Sequence, residues 1–321
     1  MNDRMMKAVL YDRYGGPDVL YTGRVPRPEP APGEVLVKVR AFSVNGGELA
    51  ARAGRFRLLG GRTFPKRVGL DFTGEVAALG TGVTRLTAGD RVWGVLGITS
   101  GFGSAAEFVT VPAKRVGRLP DGLDLVDAAA LPVATTAVTA LRDKAGLRPG
   151  ERLLVRGAAG GVGSAAVQLG RAYGAEVTAL ARAANLDFVR GLGAHKAVDH
   201  RTVRPAELGR FDVVLDTAGT DLRAFRRLLD SGGRMVTIAF DLTRPAASLG
   251  YLAASMVHGH GRVRFFSGNP TWVELDDLAR HVVEGKLSPA VDTVFPLEET
   301  AAAHRALEAG GVQGKYVVRV A

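Results

Sequence analysis

The stretch Leu153–Ala166, LLVRGAAGGVGSAA, decides the fold of this chain. Its largely apolar start predicts a short buried strand, a cluster of glycines follows, and the small residues after them predict a helix. Glycines at such a junction let the backbone approach a phosphate, and the start of the helix offers unpaired N–H groups to an anion. The spacing Ala158-x-Gly160-x-x-Gly163 follows the dinucleotide-binding pattern, with alanine for the first glycine. The stretch therefore predicts a nucleotide site.

The residues that follow complete the first half of a βαβ unit. A helix predicted over 161–173 leads to a strand predicted over 176–180, and Ala181-Arg182-Ala183 comes next. A protein that binds NAD usually has a carboxylate at this point, about 20 residues past the glycines, to hold the ribose hydroxyls. Arg182 can instead form charge-assisted hydrogen bonds with a 2′-phosphate. We therefore predict NADPH as cofactor, with a solvated surface role for Arg182 as the alternative.

The composition is that of an ordinary globular chain. A length of 321 residues predicts two domains or one large one, and 46% hydrophobic with 23% charged residues is a typical balance. No apolar run reaches the length of about 18 residues that a membrane helix needs. The N-terminus leads into a strand-like run and not into a secretory segment, so we expect a cytoplasmic protein.

The charge and the cysteine count exclude some functions. The chain has no cysteine, so it can form neither a disulfide nor a cysteine-ligated zinc site. Its net charge is +10, but the excess arginines are scattered and form no block of like charges. This pattern argues against nucleic-acid binding as the main function. The positive field would still favour a polyanionic cofactor.

The organisation changes near residue 124. Before it, short strands, for example 7–11, 34–42 and 107–112, alternate with turns and predict a partly open β-barrel. After it, strands and helices alternate, which predicts a doubly wound parallel sheet. The predicted strands are 152–156, 176–180, 196–198, 211–216, 234–239 and 262–267, and the predicted helices include 221–230, 271–284 and 298–309, before a terminal strand over 315–320.

Several short motifs follow one another along nearly the whole chain. They are 41–48 (AFSVNGGE), 68–76 (VGLDFTGEV), 89–94 (GDRVWG), 130–137 (ALPVATTA), 158–163 (AAGGVG), 216–219 (DTAG), 284–287 (EGKL), 295–300 (FPLEET) and 314–318 (GKYVV). Together they resemble the medium-chain dehydrogenase/reductase superfamily, in its zinc-independent quinone oxidoreductase (zeta-crystallin-like) and enoyl reductase branch. The resemblance implies a GroES-like partly open β-barrel domain over 1–123 and 266–321, and a Rossmann NADPH-binding domain over 124–265.

The positions of zinc ligands carry other residues here. The zinc-dependent alcohol dehydrogenases of this superfamily hold their catalytic metal with a cysteine, a histidine and usually a second cysteine. By resemblance these fall at Asn45, at Leu70 and near Val133 or Ala134. None of these residues can bind zinc, and the four-cysteine lobe for structural zinc is missing too. We therefore expect no metal, and alcohol oxidation is disfavoured.

The resemblance also implies the site residues. It puts Asn45 near the nicotinamide and the substrate, and Thr135 or Thr136 against the nicotinamide and its ribose, so Asn45 and Thr136 are the catalytic candidates. Asn45 has a plainer alternative as a turn residue before two glycines. The expected cofactor contacts are Asn45, Thr135, Thr136, Ala159, Gly160, Gly161, Val162, Arg182, Ala239, Phe240 and Lys315, and the expected substrate pocket contains Glu48, Arg52, Phe56, Phe265 and Phe266.

The sequence does not reveal the proton donor. Some enoyl reductases of this branch use a tyrosine in the loop after the asparagine segment, and here Phe56 stands where a tyrosine would. Phenylalanine cannot donate a proton, so solvent or another group must do so. Glu48 and Arg52 are nearby alternatives, although their spacing of four in a helical turn also allows them to pair with each other.

Two further motifs have structural alternatives. His258-x-His260 places two imidazoles on one face of a strand, but without a clear third ligand a loop or subunit-contact role is favoured over a metal site. For Phe265-Phe266, a core or dimer contact is favoured over a role in the site. By resemblance the strand that contains them runs near a subunit interface, so we expect a homodimer.

The leading hypothesis is an NADPH-dependent reductase that transfers hydride to a quinone or to the activated C=C bond of an α,β-unsaturated carbonyl. The sequence does not choose between these small-molecule acceptors. A biosynthetic enoyl reductase that acts on a polyketide or carrier-bound intermediate is an alternative. A second alternative is a non-catalytic NADPH-binding structural or RNA-binding protein. The diffuse charge of the chain argues against this second alternative.

Overall fold

The computed structural model describes residues 4–57, 63–97, 102–241, 250–255, 261 and 263–320. These residues divide into two units. The first unit contains Met1–Val133, Asn269–Gly285 and Pro289–Ala321, and the second contains Ala134–Gly268 and Lys286–Ser288.

The first unit extends past residue 123, where the change in sequence pattern lies. Helix α2 (Leu125–Ala128) begins with Asp124, whose carboxylate accepts the N–H groups of Val126 and Asp127 at 2.7 and 3.1 Å. The buried alanines that follow α2 join a core cluster with strand residues of the same unit, including Ala41. The barrel core therefore holds this segment.

The first unit is built mainly from antiparallel strands. Among its described residues, a three-stranded sheet has the order β2-β1-β4, and a seven-stranded sheet has the order β15-β16-β3-β5-β6-β8, with β7 paired to β3. Only the β15–β16 pair of the larger sheet is parallel. The strands are β1 (Met5–Tyr11), β2 (Tyr21–Pro26), β3 (Glu34–Ser43), β4 (Lys66–Arg67), β5 (Asp71–Leu79), β6 (Arg91–Val95), β7 (Phe108–Pro112), β8 (Val116–Arg118), β15 (Val291–Pro296) and β16 (Lys315–Arg319).

The second unit contains a parallel sheet. Within the described part of this unit, six strands pair in the order β11-β10-β9-β12-β13-β14, and every neighbouring pair is parallel. This is the doubly wound order, so the predicted fold is confirmed. The strands are β9 (Arg152–Arg156), β10 (Glu176–Ala181), β11 (Lys196–Asp199), β12 (Phe211–Asp216), β13 (Leu229–Thr237) and β14 (Val263–Phe265).

Helices accompany both units. In the first unit α1 (Gly46–Arg52) follows β3, and α8 (Trp272–Val283) and α9 (Thr300–Ala309) belong to the C-terminal part. Thr271 and Glu274 form a capping box that starts α8. The helices of the second unit are α3 (Ala134–Val138), α4 (Gly161–Ala172), α5 (Leu186–Gly191), α6 (Leu222–Arg226) and α7 (250–255).

One predicted element is wrong at its end. The sequence predicted a helix over 221–230 and a strand from 234, but α6 ends at Arg226 and β13 already begins at Leu229. Leu229 pairs with Phe211, and the pairing resumes at Arg234 with Val213, so the residues between them bulge out of the ladder. Gly232 has φ +77° in this bulge. The turn-like residues of the bulge made the start of the strand unrecognisable in the sequence, because a bulge is set by the partner strand and not by local propensity.

A buried ionic cluster joins two helices of the first unit. Arg52 of α1 forms an ion pair with Glu308 of α9, and the Arg52 side chain is almost fully buried. Its Nη1 lies 3.4 Å from Nδ1 of the buried His304. No described residue bonds to Nε2 of His304. Burial, and secondly the charge of Arg52, lowers the pKa of His304 to about 3.

This cluster makes the stability of the first unit depend on pH. The unfolded chain binds a proton at His304 near pH 6.5, while the folded state holds the ring neutral down to pH about 3. Stability is therefore full above pH 6.5 and is lost as the pH falls through this window. Between about pH 7.5 and about pH 5, the wild type should lose roughly 2 kcal/mol more unfolding free energy than the variant His304→Gln.

Urea unfolding followed by tryptophan fluorescence measures this difference. Both tryptophans of the chain, Trp93 and Trp272, belong to the first unit, so the signal reports on the unit that contains His304. Equal losses in the wild type and the variant would contradict the assignment.

Candidate functional site

The loops that follow four strands of the second unit lie at one edge of its sheet. Because the strands are parallel, their carboxyl ends face the same way, and the strand order reverses between β9 and β12. Ligands of doubly wound sheets bind in the crevice at such a reversal. The segments at this edge are 157–162 after β9, 182–185 after β10, 217–219 after β12 and 239–240 after β13.

The glycine loop after β9 has the geometry of a phosphate cradle. Helix α4 begins at Gly161 after the cap residue Gly160, and the N–H of Ser164 makes the first helical bond, to Gly160 O at 2.7 Å. The N–H groups of the first turn therefore have no acceptor within the helix. A Cβ atom on Gly163 would lie 2.1 Å from the carbonyl oxygen of Gly157, so this position excludes any side chain. The predicted residues Ala159, Gly160, Gly161 and Val162 form this loop, which fits a cofactor pyrophosphate.

A buried ion pair links the ends of the central strands. Nη1 of Arg156, the last residue of β9, lies 2.5 Å from Oδ1 of Asp216, the last residue of β12. Asp216 also accepts the hydroxyl of Thr237 at 2.8 Å and the N–H of Gly219 at 2.9 Å. The guanidinium of Arg156 lies 3.6 Å from the ring centroid of Phe225. The pair thus fixes the loops after β12 and β13 relative to the glycine loop.

The sequence reasoning did not assign this pair to the site. A signal was present, because an aspartate ends the apolar run Val213-Val214-Leu215 and is followed by Thr-Ala-Gly. A charged residue at the end of a buried strand, before a glycine turn, points to a carboxylate that binds backbone N–H groups. Only the three-dimensional structure shows Arg156 as its partner.

The remaining predicted cofactor residues of the second unit lie at the same edge or beside it. Arg182 is half-buried and caps the short turn Ala183–Asn185, directly after β10. The hydroxyl oxygen of Thr237 lies 2.7 Å from Ala239 O, and the ring of Phe240 meets Phe265 edge to face at 5.8 Å between centroids. In α3, Thr135 is buried and Thr136 is half-buried. A Cβ on Gly268 would lie 2.7 Å from the Thr136 hydroxyl, so the two residues adjoin.

In the first unit, a buried network holds the amide of Asn45. Nζ of Lys315 donates to Oδ1 of Asn45 and to the carbonyl oxygen of Val44, both at 2.7 Å. Nδ2 of Asn45 donates to Oδ2 of Asp71 at 2.9 Å and to the carbonyl oxygen of Ser43 at 3.0 Å. Asp71 also accepts the N–H and the hydroxyl of Ser43. The structure therefore brings together two predicted site residues, Asn45 and Lys315, and adds Asp71, which the sequence reasoning had not assigned.

Glu48 supports the same network from inside the unit. Its carboxylate accepts the N–H of Asn45 at 2.6 Å and that of Gly69 at 2.5 Å. Burial raises its pKa, against the lowering effect of these two bonds and of Lys315. Burial likewise lowers the pKa of the Lys315 ammonium, while the carboxylates of Asp71 and Glu48 raise it.

The structure places Glu48 and Arg52 away from solvent. Arg52 pairs with Glu308 and not with Glu48, although Glu48 and Arg52 belong to the same helix, α1. The side chain of Glu48 has no exposed surface, and Arg52 is 1% exposed. Both residues therefore support the fold, and neither is positioned as an accessible substrate contact in this structure.

The other predicted pocket residues are more open. Phe56 is half-buried after α1, Phe265 at the end of β14 is 40% exposed, and Phe266 is half-buried with the Lys144 ammonium 6.0 Å from its ring centroid. His258 and His260 lie outside the described residues.

The residues at the expected zinc positions do not fit a metal. Asn45 is held by Lys315 and Asp71, and the aliphatic side chain of Leu70 offers no ligand atom. Among the described ranges, no group of three or more histidine, cysteine, aspartate or glutamate residues could hold a metal ion. The chain also lacks the cysteines that zinc sites of this fold use.

Known proteins resemble both units. A family model described as "Alcohol dehydrogenase GroES-like domain" matches residues 31–121, and one described as "Zinc-binding dehydrogenase" matches 192–318. The chloroplast envelope quinone oxidoreductase homolog of Arabidopsis thaliana is 33% identical over 99% of both chains. A mycocerosic acid synthase-like polyketide synthase of Mycobacterium tuberculosis is 36% identical over 92% of this chain, but over only 14% of its own length. The solved structure of the quinone oxidoreductase from Coxiella burnetii superposes with a TM-score of 0.88, at 29% identity over 99% of this chain and 100% of that chain.

This chain belongs to the medium-chain dehydrogenase/reductase superfamily, in its quinone oxidoreductase-like branch. The predicted pairing of a GroES-like domain with a Rossmann-type sheet is confirmed. The protein is an NAD(P)H-dependent oxidoreductase with a small-molecule substrate. No described helix has the length and apolar character needed to cross a membrane.

Proposed function

We propose that this protein is an NADPH-dependent, metal-free reductase that transfers hydride to a quinone or to the activated C=C bond of an α,β-unsaturated carbonyl. The observation that carries the proposal is the Lys315–Asn45–Asp71 network at the position of the first zinc ligand. At that position the amide of Asn45 is bonded to Lys315 and Asp71, which supports a site without a metal. Quinones and enones suit such a site, because their electron-poor carbons accept hydride without a metal to polarise the carbonyl.

Bound NADPH would supply the hydride from its nicotinamide ring. We assign the pyrophosphate to the loop 159–162 and its first-turn N–H groups, and the 2′-phosphate to Arg182. Thr135 or Thr136, with Ala239 and Phe240, are proposed to contact the nicotinamide end. The Asp216 carboxylate, through Gly219 and Thr237, would keep the neighbouring loops in place.

Asn45 is proposed to position the substrate and not to donate to a developing oxyanion. Both N–H groups of its amide are already bonded, to Asp71 and to Ser43. Lys315 holds the opposite end of the amide, so its orientation is fixed before substrate arrives. An enone that accepts hydride at its β-carbon becomes an enolate and then takes one proton, and a quinone becomes a hydroquinone anion that also takes one. We assign that proton to solvent, since Phe56 cannot supply it.

Oxidation of NADPH by candidate acceptors tests the proposed activity. The loss of NADPH absorbance is followed with 1,4-benzoquinone, 9,10-phenanthrenequinone and 2-hexenal, for the wild type and for Asn45→Ala. We expect turnover by the wild type and a kcat/KM for the acceptor lowered about 10-fold or more in the variant. NADPH binding without turnover of any acceptor would contradict the reductase assignment for these classes.

Replacement of Arg182 tests the choice of cofactor. Because the guanidinium is assigned to the 2′-phosphate, Arg182→Ala should raise the KM for NADPH about 10- to 100-fold and leave the KM for NADH within about two-fold. Arg171→Ala removes an equal charge from an exposed position at the far end of α4 and should change neither value. Equal KM changes for both cofactors in Arg182→Ala would overturn the assignment.

A biosynthetic enoyl reductase on a polyketide or carrier-bound intermediate is the second candidate. The similarity to a segment of a polyketide synthase favours it. Tight NADPH binding with turnover only of a thioester-linked enoyl substrate would select it. Binding of NADPH without any turnover would instead favour a non-catalytic binding protein.

We also propose that the protein is a homodimer. Strand β14 is the last strand of its sheet among the described residues, and its Phe265 is exposed. An unpaired sheet edge with an exposed aromatic side chain suits pairing with a second copy. Light scattering should give twice the chain mass of 33.7 kDa, and a monomer would exclude the pairing. The cytoplasmic location stays a prediction.

A further inference from the structure

The second unit contains a concave pocket that is lined by arginines. Its volume is about 760 Å³, which lies within the range of small-molecule sites. Helix α6, the start of β13 and α7 form its walls. The lining includes Arg210, Arg223, Arg226, Arg227, Leu229 and Tyr251.

This pocket is not the nucleotide site. Arg210 directly precedes β12, and Leu229 is the first residue of β13, so the pocket lies at the amino ends of these strands. The glycine loop follows the carboxyl end of β9. Because β9, β12 and β13 are parallel, the two features occupy opposite edges of one sheet.

Backbone carbonyls and an aromatic ring contact three arginines of the pocket. Nη1 of Arg210 donates to the carbonyl oxygens of Arg227 and Leu229, at 2.8 and 3.1 Å. The guanidinium of Arg223 lies 5.7 Å from the ring centroid of Tyr251. Nε of Arg226 donates to the carbonyl oxygen of Gly261 at 2.7 Å. Carbonyls and an aromatic ring orient a guanidinium without neutralising it.

The acidic residue in the lining does not balance these charges. Oδ2 of Asp230 accepts Nη2 of Arg152 at 2.8 Å, and Oδ1 accepts the N–H of Ser231 at 2.9 Å. The bond to Arg152 is the main cause that lowers the pKa of Asp230. Arg152 lies outside the lining and is shared with Asp212, at 3.3 Å. Among the described residues that line the cavity, four arginines therefore stand beside a single aspartate, which leaves an excess of positive charge.

We infer that this pocket binds a small molecule that carries two or more phosphate groups. Like charges that surround one cavity repel each other until an anion enters it. The planar fork of a guanidinium matches two oxygens of a phosphate, and several forks around one volume match several phosphates. The concave shape and small volume favour such a molecule over the extended surface of a nucleic acid or an acidic protein. The arginines that give the chain its charge of +10 are scattered along the sequence, but four of them line this proposed binding pocket.

Calorimetric titration with inorganic tripolyphosphate tests this site. The titration is run on the wild type, on Arg223→Gln/Arg227→Gln, on Arg182→Ala at the proposed nucleotide site, and on the control Arg148→Gln/Arg171→Gln. The control removes the same charge from exposed positions that do not line the pocket. We expect one tripolyphosphate per chain, bound at least about 10-fold more tightly than inorganic phosphate. The pocket variant should weaken this binding about 10-fold or more, and the control should stay within about two-fold of the wild type.

A nucleotide-site variant and an unrelated polyanion complete the test. Arg182→Ala should leave the tripolyphosphate affinity within about two-fold of the wild-type value, because the sites lie at opposite edges. Unchanged melting temperatures of both double variants would confirm that the fold persists. Equal weakening in both double variants would overturn the inference, as would loss of tripolyphosphate binding in Arg182→Ala. Arg223- and Arg227-dependent binding of a short single-stranded DNA, without binding of tripolyphosphate, would overturn the assignment to a small molecule.

Discussion

The parallel direction of the strands in the second unit is the constraint on which its chemistry depends. It brings the ends of β9, β10, β12 and β13 to one edge, where buried backbone groups need partners and a ligand can approach several loops. The Arg156–Asp216 pair meets part of that need, because Asp216 bonds to the loops after β12 and β13 while Arg156 ends β9. Loss of one partner would leave a buried charge uncompensated, at a cost of about 3–5 kcal/mol.

The first unit also contains buried charged groups that need partners, and these groups surround Asn45. Asp71, Glu48 and Lys315 bury charges of both signs around the amide of Asn45, and nearly every polar atom there has a partner. Desolvation alone would disfavour each charge, so the carboxylates and the ammonium stabilise one another. The result is an asparagine whose orientation does not depend on a metal. A reductase of acceptors that already accept hydride readily can use such a rigid position, whereas alcohol oxidation in zinc enzymes relies on a metal at this point.

Both edges of the parallel sheet carry cationic groups, for different reasons. At the carboxyl edge, the N–H groups at the start of α4 suit the pyrophosphate of the nucleotide cofactor, and Arg182 follows β10. At the amino edge, guanidinium groups of α6 and of the residues around it line one pocket. The positive charge of the chain is therefore not spread evenly over the second unit.

The sequence by itself determined the strand–glycine–helix unit, the alternation that makes the sheet parallel, and the absence of cysteine ligands. These features follow from local periodicity and residue type, which can be recognised without knowing the contacts between distant residues. The tertiary structure alone decided the early start of β13, the Arg52–Glu308 pair in place of Glu48–Arg52, and the partners of Asp71 and Asp216. Each depends on residues far apart in the chain, because a bulge or a buried charge is fixed by whichever group the fold places opposite it.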